Sequence, residues 1–247
     1  MLLSAGQWPE APATIGFMAT VRSGGTSAAP YDDAHGGGGL NLGGHVGDDP
    51  AAVAANRARL ETLMPARPVW LNQVHGVAVV DAALAEGIPT ADASVSAQPG
   101  VACAILTADC LPVLFAAADG SVVGAAHAGW RGLAGGVLGN TVAAMRARGA
   151  GEIVAWLGPA IGPRRFEVGE DVLAAFPAGH ASAFAPIAGQ PGKYLADIYA
   201  LARLALAFDG VTRVSGGDHC TVSEADAFYS FRRDKVTGRQ ASLIWIK

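Results

Sequence analysis

The sequence predicts a single compact α+β domain, spanning residues 1–247, in which mixed β-sheets are flanked by helices. Hydrophobic residues make up 51% of the 247 residues, which is enough for a substantial core, and no internal repeat divides the chain. Short apolar runs typical of buried strands alternate along the chain with segments whose apolar residues recur at helical spacing. They do not follow the regular alternation of a parallel α/β fold, so mixed sheets are expected.

The first helix is predicted at residues 50–64. Asp48 or Asp49 can cap it, and Pro50 suits its first position. The helical period places Arg57 on the apolar face, where a buried arginine is unfavourable unless it is paired. Arg57 is therefore expected either in a structural salt bridge or in contact with a bound anion.

Residues 23–49 precede this helix and are rich in Gly, Asp and Ser. Such a composition predicts a long mobile loop. His35 and His45 fall within it and are expected to be solvated loop histidines.

Strands and further helices are predicted downstream of this helix. A strand at residues 68–75 alternates so that Gln73 and His75 share the face of its apolar residues. Fully buried strands are predicted at 101–108 and 121–126. The remaining predicted elements are strands at 153–157 and 241–246 and helices at 131–148, 170–176 and 194–208.

His75, Cys110 and His127 each lie at the end of a predicted strand, where side chains from different strands can converge. Two imidazoles and one thiolate suit a catalytic zinc site whose fourth position is open. The spacings of 35 and 17 residues match no local zinc motif. Two alternatives remain open: hydrogen-bonded core histidines beside a small buried cysteine, or a Cys–His nucleophile pair.

The amino-acid composition indicates which partners are excluded and in which cellular compartment the protein is expected. The net charge of −4 and the lack of a basic block argue against nucleic-acid binding. No apolar run approaches the roughly 20 residues that a membrane helix needs. Cys103 is expected in the core and Cys220 as a packed thiol. Because three cysteines cannot all pair internally, a reduced cytoplasmic setting is expected. No pattern indicates an oligomeric state.

Two segments carry features of anion or ligand binding. The N–H groups at the start of the helix after His127 would favour an anion, and Arg131 stands there. Residues 229–239, YSFRRDKVTGR, cluster four basic residues with two aromatic ones. This run is expected to be either a solvated turn or a ligand-lining loop.

Several long motifs resemble the bacterial YfiH family, from about Phe17 to Ile246. They are LNQVHG, ADAS, LTADCLPVLF, AAHAGWRGLAGGV, WLGPAIGPRRFEVG, KYLADIY and FYSFRRDKVTGRQASLIWI. Members of that family are described as laccase-domain or polyphenol oxidase proteins and as purine nucleoside phosphorylases. The resemblance implies a YfiH-like fold and metal ligation by His75, Cys110 and His127. It also associates Arg57, in the pair Asn56–Arg57, with the active site.

The early loop departs from the family pattern. Residues 21–27, VRSGGTS, alter a family motif, and residues 33–39 look like an insertion. If this loop covers the site, substrate preference could differ from that of the family.

The resemblance implies zinc-dependent phosphorolysis of adenosine, inosine and methylthioadenosine, with adenosine deaminase activity alongside. Arg57 and Arg131 are candidates for phosphate binding, and Gln73 and Asp109 are further candidates for substrate binding. Zinc deaminases usually carry a His-x-Glu pair, which is absent here. Asp109 or Asp92 is the candidate substitute for that general base.

Three other functions remain as alternatives. Two histidines and a cysteine are also the equatorial ligands of a blue-copper site, so a copper-dependent polyphenol oxidase is one of them. However, no Met lies in the ligand motifs, and the six histidines form no His-x-His pair. A metal-free Cys–His hydrolase with Cys110 as nucleophile is the second alternative. A non-catalytic metabolite-binding protein is the third.

Overall fold

Two β-sheets pack face to face, and helices cover the outer face of each sheet. The structure, a computed structural model, describes residues 2–3 and 8–247 of the predicted 1–247 domain. The α+β class predicted from the sequence is confirmed. No helix in the described part of the chain is both long and apolar enough to cross a membrane.

The first sheet has five strands, which are numbered here in chain order. They are β1 (Leu2–Leu3), β2 (Ile15–Thr20), β4 (Arg67–Val69), β7 (Val101–Thr107) and β15 (Gln240–Ile246). Their spatial order is β1-β2-β15-β7-β4, with β4 parallel to β7 and the other pairs antiparallel.

The second sheet has six strands in the order β14-β10-β8-β9-β6-β5. They are β5 (Val79–Asp81), β6 (Ala93–Ser96), β8 (Leu111–Ala117), β9 (Val123–Ala128), β10 (Ile153–Leu157) and β14 (Val214–Gly216). A small third sheet contains β11 (Glu167–Gly169), β13 (Lys193–Ala196) and β12 (Phe184–Pro186), and β3 (Ser23–Ser27) lies apart near the first helix.

Six α-helices and a 3-10 helix are found in the described part of the chain. They are α1 (Pro50–Glu61), α2 (Trp130–Gly135), α3 (Val137–Arg146), α4 (Glu170–Ala174), the 3-10 helix Ala178–Ala183, α5 (Ile198–Phe208) and α6 (Phe231–Asp234). The helix α1 covers the first sheet, where Leu60 belongs to the same apolar cluster as Leu243 of β15. Helices α3 and α5 cover the second sheet through Leu138 and Leu201. Alternate residues of the strands fill the space between the sheets.

All four predicted helices have different bounds in the structure. The helices predicted at 50–64 and 170–176 end earlier, at Glu61 and Ala174. The helix predicted at 131–148 is two helices, because Gly136 adopts a left-handed conformation (φ +94°) between α2 and α3. The helix predicted at 194–208 begins at Ile198, where the Asp197 carboxylate accepts hydrogen bonds from the first turn.

Two predicted strands also differ. The strand predicted at 68–75 ends at Val69, so His75 lies in a loop rather than at a strand end. The strand predicted at 121–126 is β9, two residues later, which places His127 inside a strand.

The chain passes from the first sheet to the second between β7 and β8. Asp109, in this crossing, has a positive φ of +93°, which is rare outside glycine. Its carboxylate accepts hydrogen bonds from Thr221 Oγ1 (2.6 Å) and Arg232 N (2.5 Å). Its carbonyl oxygen accepts one from Ile161 N (2.9 Å). These bonds hold the strained conformation and so fix the direction of the next side chain, Cys110.

Asn56 of α1 anchors both ends of the glycine-rich 23–49 segment. Its side chain is fully buried and accepts a hydrogen bond from Thr26 N (2.9 Å). It donates to Ser27 Oγ (2.9 Å), Gly39 O (3.1 Å) and Asn41 O (2.9 Å). The residues that follow Gly39 are therefore held against α1.

We expect Asn56→Ala to lower the free energy of unfolding by about 2–4 kcal/mol, because it leaves several buried backbone groups without partners. Urea unfolding followed by circular dichroism measures this change. Arg59→Ala, at an exposed position of the same helix, is the matched control. A loss no larger than that of the control would contradict this role for Asn56.

Candidate metal centre

The structure brings the side chains of His75, Cys110 and His127 together. One nitrogen or sulfur atom from each lies within 4.8 Å of the other two. Cys110 Sγ is 3.6 Å from His75 Nε2, and the two imidazole centroids are 4.7 Å apart. The three residues come from a loop after β4, from the crossing between the sheets and from β9, so their meeting is a product of the tertiary fold.

Asp92 orients His127. Its fully buried carboxylate accepts a hydrogen bond from His127 Nδ1 (2.8 Å), so Nε2 is the nitrogen that a metal ion would bind as its proton is released. Burial alone would raise the pKa of Asp92. The hydrogen bonds from His127 and Gly76 outweigh burial, so the pKa of Asp92 lies below its ordinary value. Asp92 is therefore a charged acceptor at neutral pH.

The same carboxylate shapes the loop that carries His75. Three successive backbone N–H groups donate to it: Val74 (3.2 Å), His75 (2.9 Å) and Gly76 (2.7 Å). His75 itself has a positive φ of +61°, which this set of hydrogen bonds stabilises. The turn explains why the chain leaves the extended conformation before His75, contrary to the strand predicted from alternation.

Cys110 is prepared to act as a thiolate. Burial alone raises the pKa of a thiol, but the charge of His127 and hydrogen bonds with His127 and His75 lower the pKa of Cys110 to about 6. A thiolate is the form that binds a metal or attacks an electrophile. By contrast, burial raises the pKa of Cys103 to about 12, in agreement with its predicted place in the core.

The three donors fit a metal ion. In a tetrahedral zinc site with these donors, neighbouring ligand atoms lie about 3.5 Å apart. The 3.6 Å separation of Cys110 Sγ and His75 Nε2 matches this value. No two of the three ligand atoms are more than 4.8 Å apart, so the side chains would need to move only slightly closer to bind one ion. Gly129 makes the approach possible, since a Cβ there would lie 2.7 Å from His75 Cδ2 and 3.1 Å from Cys110 Sγ. Among the described residues this is the one group of three such donors, so a fourth ligand would come from the cavity.

Two cavities, each of about 260 Å³, open onto this centre. Both are lined by His75, Ala108, Cys110 and Phe231. The remaining walls of the first cavity are His45, Gln73, Leu106, Thr107, His127 and Arg239. The remaining walls of the second cavity are Asp109, Trp130, Arg131, Ile161, Phe166, Ile198 and Arg232.

Three of the residues predicted to bind substrate line these cavities. Arg131 lines the second cavity, with its guanidinium 4.3 Å from the Trp130 ring centroid. Gln73 lines the first, but its amide is bonded to both Leu106 N and Leu106 O (2.8 Å each). Asp109 lines the second, with its carboxylate held as described above. Arg131 therefore has the most freedom to meet a ligand, while Gln73 and Asp109 fix the backbone.

Arg57 is not among the residues that line either cavity. Its Nε and Nη2 donate to Leu42 O (3.0 and 2.8 Å), and its guanidinium stacks 4.5 Å from the Trp70 ring centroid. It forms no ion pair with the described residues. The structure therefore shows Arg57 as a support for the segment that leads to His45, and the salt bridge expected from the sequence is absent among the described residues.

Sequence reasoning missed His45 and Arg239 as cavity residues. His45 reaches the cavity because the preceding chain is held by Asn56 and by hydrogen bonds to Arg239, from Leu42 N to its carbonyl and from its N–H to Asn41 Oδ1. The buried leucines of the LNLGGH stretch were the available signal that this part of the glycine-rich segment is anchored. From the 229–239 run, Phe231, Arg232 and Arg239 line the two cavities, while its role in ligand binding stays a prediction.

Replacing Asp92 with Asn is expected to weaken zinc binding about 10- to 100-fold, since the amide no longer fixes the His127 tautomer or accepts all the N–H groups around His75. Competition with a chromophoric chelator measures this affinity. Asp119→Asn, in an exposed turn, is the control. Equal zinc affinity in the Asp92 variant and the control would show that Asp92 does not organise the centre.

Comparison with known proteins places this arrangement in a family. Over residues 16–247 the chain matches the sequence model described as "Multi-copper polyphenol oxidoreductase laccase". It is 56% identical over 243 residues to "Purine nucleoside phosphorylase PA4543" of Pseudomonas aeruginosa, with 97% of this chain and 96% of that protein covered. It is 51% identical to "Purine nucleoside phosphorylase YfiH" of Escherichia coli, with 97% of both chains covered.

A solved structure shares the whole fold. The crystal structure of Neisseria meningitidis protein NMB0706 has a TM-score of 0.92 and 50% identity to this chain, with 100% of this chain and 99% of the other covered. The match therefore includes both sheets and the segments that carry the three candidate ligands. The chain belongs to the YfiH family, whose sequence model carries the polyphenol oxidoreductase laccase description.

Proposed function

We propose that the protein is a zinc-dependent purine nucleoside phosphorylase that cleaves adenosine, inosine and methylthioadenosine, with adenosine deamination as a secondary activity. One observation carries the proposal: a His–Cys–His cluster, oriented by a single buried carboxylate, borders two cavities. Relatives that share about half of the sequence are named purine nucleoside phosphorylases, which supports the choice of substrate.

Phosphorolysis exchanges one bond at the sugar for another. The bond from ribose C1′ to the purine nitrogen breaks and leaves its electron pair on the purine, and a phosphate oxygen forms the new bond to C1′. Negative charge therefore develops on the purine, and an anion must be held beside the sugar. A zinc ion, when bound, supplies a Lewis acid that stabilises such negative charge.

The residues of the chain provide binding and orientation for this reaction. Trp130, Phe166 and Phe231 give the second cavity aromatic surfaces on which a purine can stack. The Asp92 hydrogen bonds keep His75 and His127 in fixed positions, so the centre needs little reorganisation during the reaction. Arg131 and Arg239 add positive charge at the two cavities.

Adenosine deamination has less support from the site. A zinc deaminase needs a carboxylate that shuttles protons. Both candidates, Asp92 and Asp109, already accept hydrogen bonds through their two oxygens. Asp109 is the one carboxylate among the described residues that line the two cavities. We therefore rank deamination below phosphorolysis.

Copper-dependent phenol oxidation also has less support. The donor set suits copper as well as zinc. A blue-copper site usually adds an axial methionine, yet none is among the described residues that line the cavities. A multicopper enzyme needs further metal clusters, and the described part of the chain contains one group of three donors. Zinc is therefore our choice of metal.

A metal-free Cys–His hydrolase is the second candidate, because Asp92, His127 and Cys110 form a chain of carboxylate, imidazole and thiol. That mechanism does not need His75, which lies 3.6 Å from the same sulfur. The presence of this second imidazole favours a metal centre. All three cysteines are free thiols, as a cysteine ligand requires, and we propose a reducing cytoplasmic setting.

Incubation of adenosine with the zinc-loaded protein, with and without inorganic phosphate, tests the proposal. We expect adenine and ribose 1-phosphate only when phosphate is present, because phosphate supplies the oxygen that replaces the purine. Chromatography of the products measures both. Inosine formed without phosphate would instead identify a hydrolytic deaminase, and the absence of any product from adenosine, inosine and methylthioadenosine would refute the proposal.

A further inference from the structure

Arg239 is a cation with unused hydrogen-bonding capacity in the first cavity. Its side chain is half-buried, and Nη1 donates to Thr237 O (3.0 Å) and Gly238 O (2.9 Å). Within residues 2–3 and 8–247, its Nε and Nη2 have no acceptor, and it forms no ion pair. A partly desolvated guanidinium without a carboxylate is unfavourable by itself, and a bound oxyanion would compensate it.

Thr107 points independently to a ligand in the same cavity. This residue, the last of β7, is only 2% exposed and lines the first cavity. Its hydroxyl has no hydrogen-bond partner in the described structure. Buried hydroxyl groups are nearly always hydrogen-bonded, so a ligand in this cavity is a candidate partner if a small shift uncovers the Thr107 oxygen. A hydroxyl can donate to an anion's oxygen.

His45 reports the electrostatic character of this cavity. Partial burial is the main cause that lowers the pKa of His45, and the positive charges of Arg239 and Arg57 lower it further. No Asp or Glu is among the described residues that line the first cavity. The one anionic group of the described part of the chain that lines this cavity is the Cys110 thiolate, which a bound metal ion would neutralise, whereas the second cavity is mainly aromatic and also contains Asp109.

We propose that Arg239, Thr107 and His45 form the subsite for inorganic phosphate, and that the purine of the nucleoside occupies the second cavity. This assignment rests on the proposed function. The two cavities share Cys110, His75 and Phe231, so phosphate and nucleoside would meet beside the metal centre. The shared Phe231 then separates the anionic substrate from the aromatic one.

Removal of the guanidinium tests the subsite directly. We expect Arg239→Gln in the zinc-loaded protein to raise the Kd for inorganic phosphate, measured by titration calorimetry, and the KM for phosphate by about tenfold or more, since charge-assisted bonds are lost. The KM for inosine should change by less than about twofold. Arg59→Gln, at an exposed position of α1 outside both cavities, is the matched control and should leave the Kd for phosphate unchanged.

Thr107→Val gives a test that does not depend on a change of charge or on a loss of stability. Valine keeps the shape of threonine but lacks the unpaired hydroxyl, so Tm without phosphate should be equal or higher. The increase in Tm that phosphate causes should shrink. A structural role for Thr107 would instead lower Tm and leave the phosphate effect intact. Phosphate affinity unchanged in both Arg239→Gln and Thr107→Val would overturn the subsite.

The outcomes separate this proposal from the proposed function. If the wild-type protein cleaves no nucleoside but binds phosphate in an Arg239-dependent manner, the subsite stands and the phosphorylase assignment fails. If the protein is a phosphorylase and neither variant changes its phosphate affinity, the subsite fails and the function stands. Adenosine 5′-monophosphate distinguishes a second source of the anion. Loss of its binding, but not of inorganic phosphate binding, in Arg239→Gln would overturn the assignment to free phosphate.

Discussion

The Asp92 carboxylate accepts hydrogen bonds from three successive N–H groups around His75 and from Nδ1 of His127. Both candidate histidine ligands therefore depend on one buried anion. A buried carboxylate is unfavourable unless its oxygens are fully bonded, and here the compensating donors belong to the parts that the site must hold still. The hydrogen bonds that compensate the buried Asp92 carboxylate therefore also hold both histidines in place. They include the bonds that stabilise the strained loop conformation at His75.

The third ligand depends on how the two sheets are connected. Cys110 lies where the chain passes from β7 in one sheet to β8 in the other, and Asp109 fixes that crossing through Thr221 and Arg232. The centre thus lies where the two sheets meet, with a cavity on each side of Phe231. A reaction with two different substrates, an anion and a purine nucleoside, suits this division.

Site residues that are placed by local sequence pattern could be predicted, whereas those placed by contacts between distant parts of the chain could not. Cys110 and His127 could be found because polar residues in or next to apolar strands are unusual. His75 was found as a candidate, but its loop was missed because Asp92, 17 residues later, bends the chain there. Arg239 and His45 were not recognised as a pair, since they meet through contacts between segments about 200 residues apart in sequence, such as Arg239 N with Asn41 Oδ1.

We propose that His75, Cys110 and His127 bind one zinc ion. Zinc-edge X-ray absorption of the wild-type protein and of Cys110→Ala tests this ligand set. We expect one sulfur at about 2.3 Å and two imidazole nitrogens at about 2.0 Å in the wild-type protein. We also expect Cys110→Ala to lose bound zinc. Stoichiometric zinc in that variant, or a wild-type spectrum without sulfur, would contradict it.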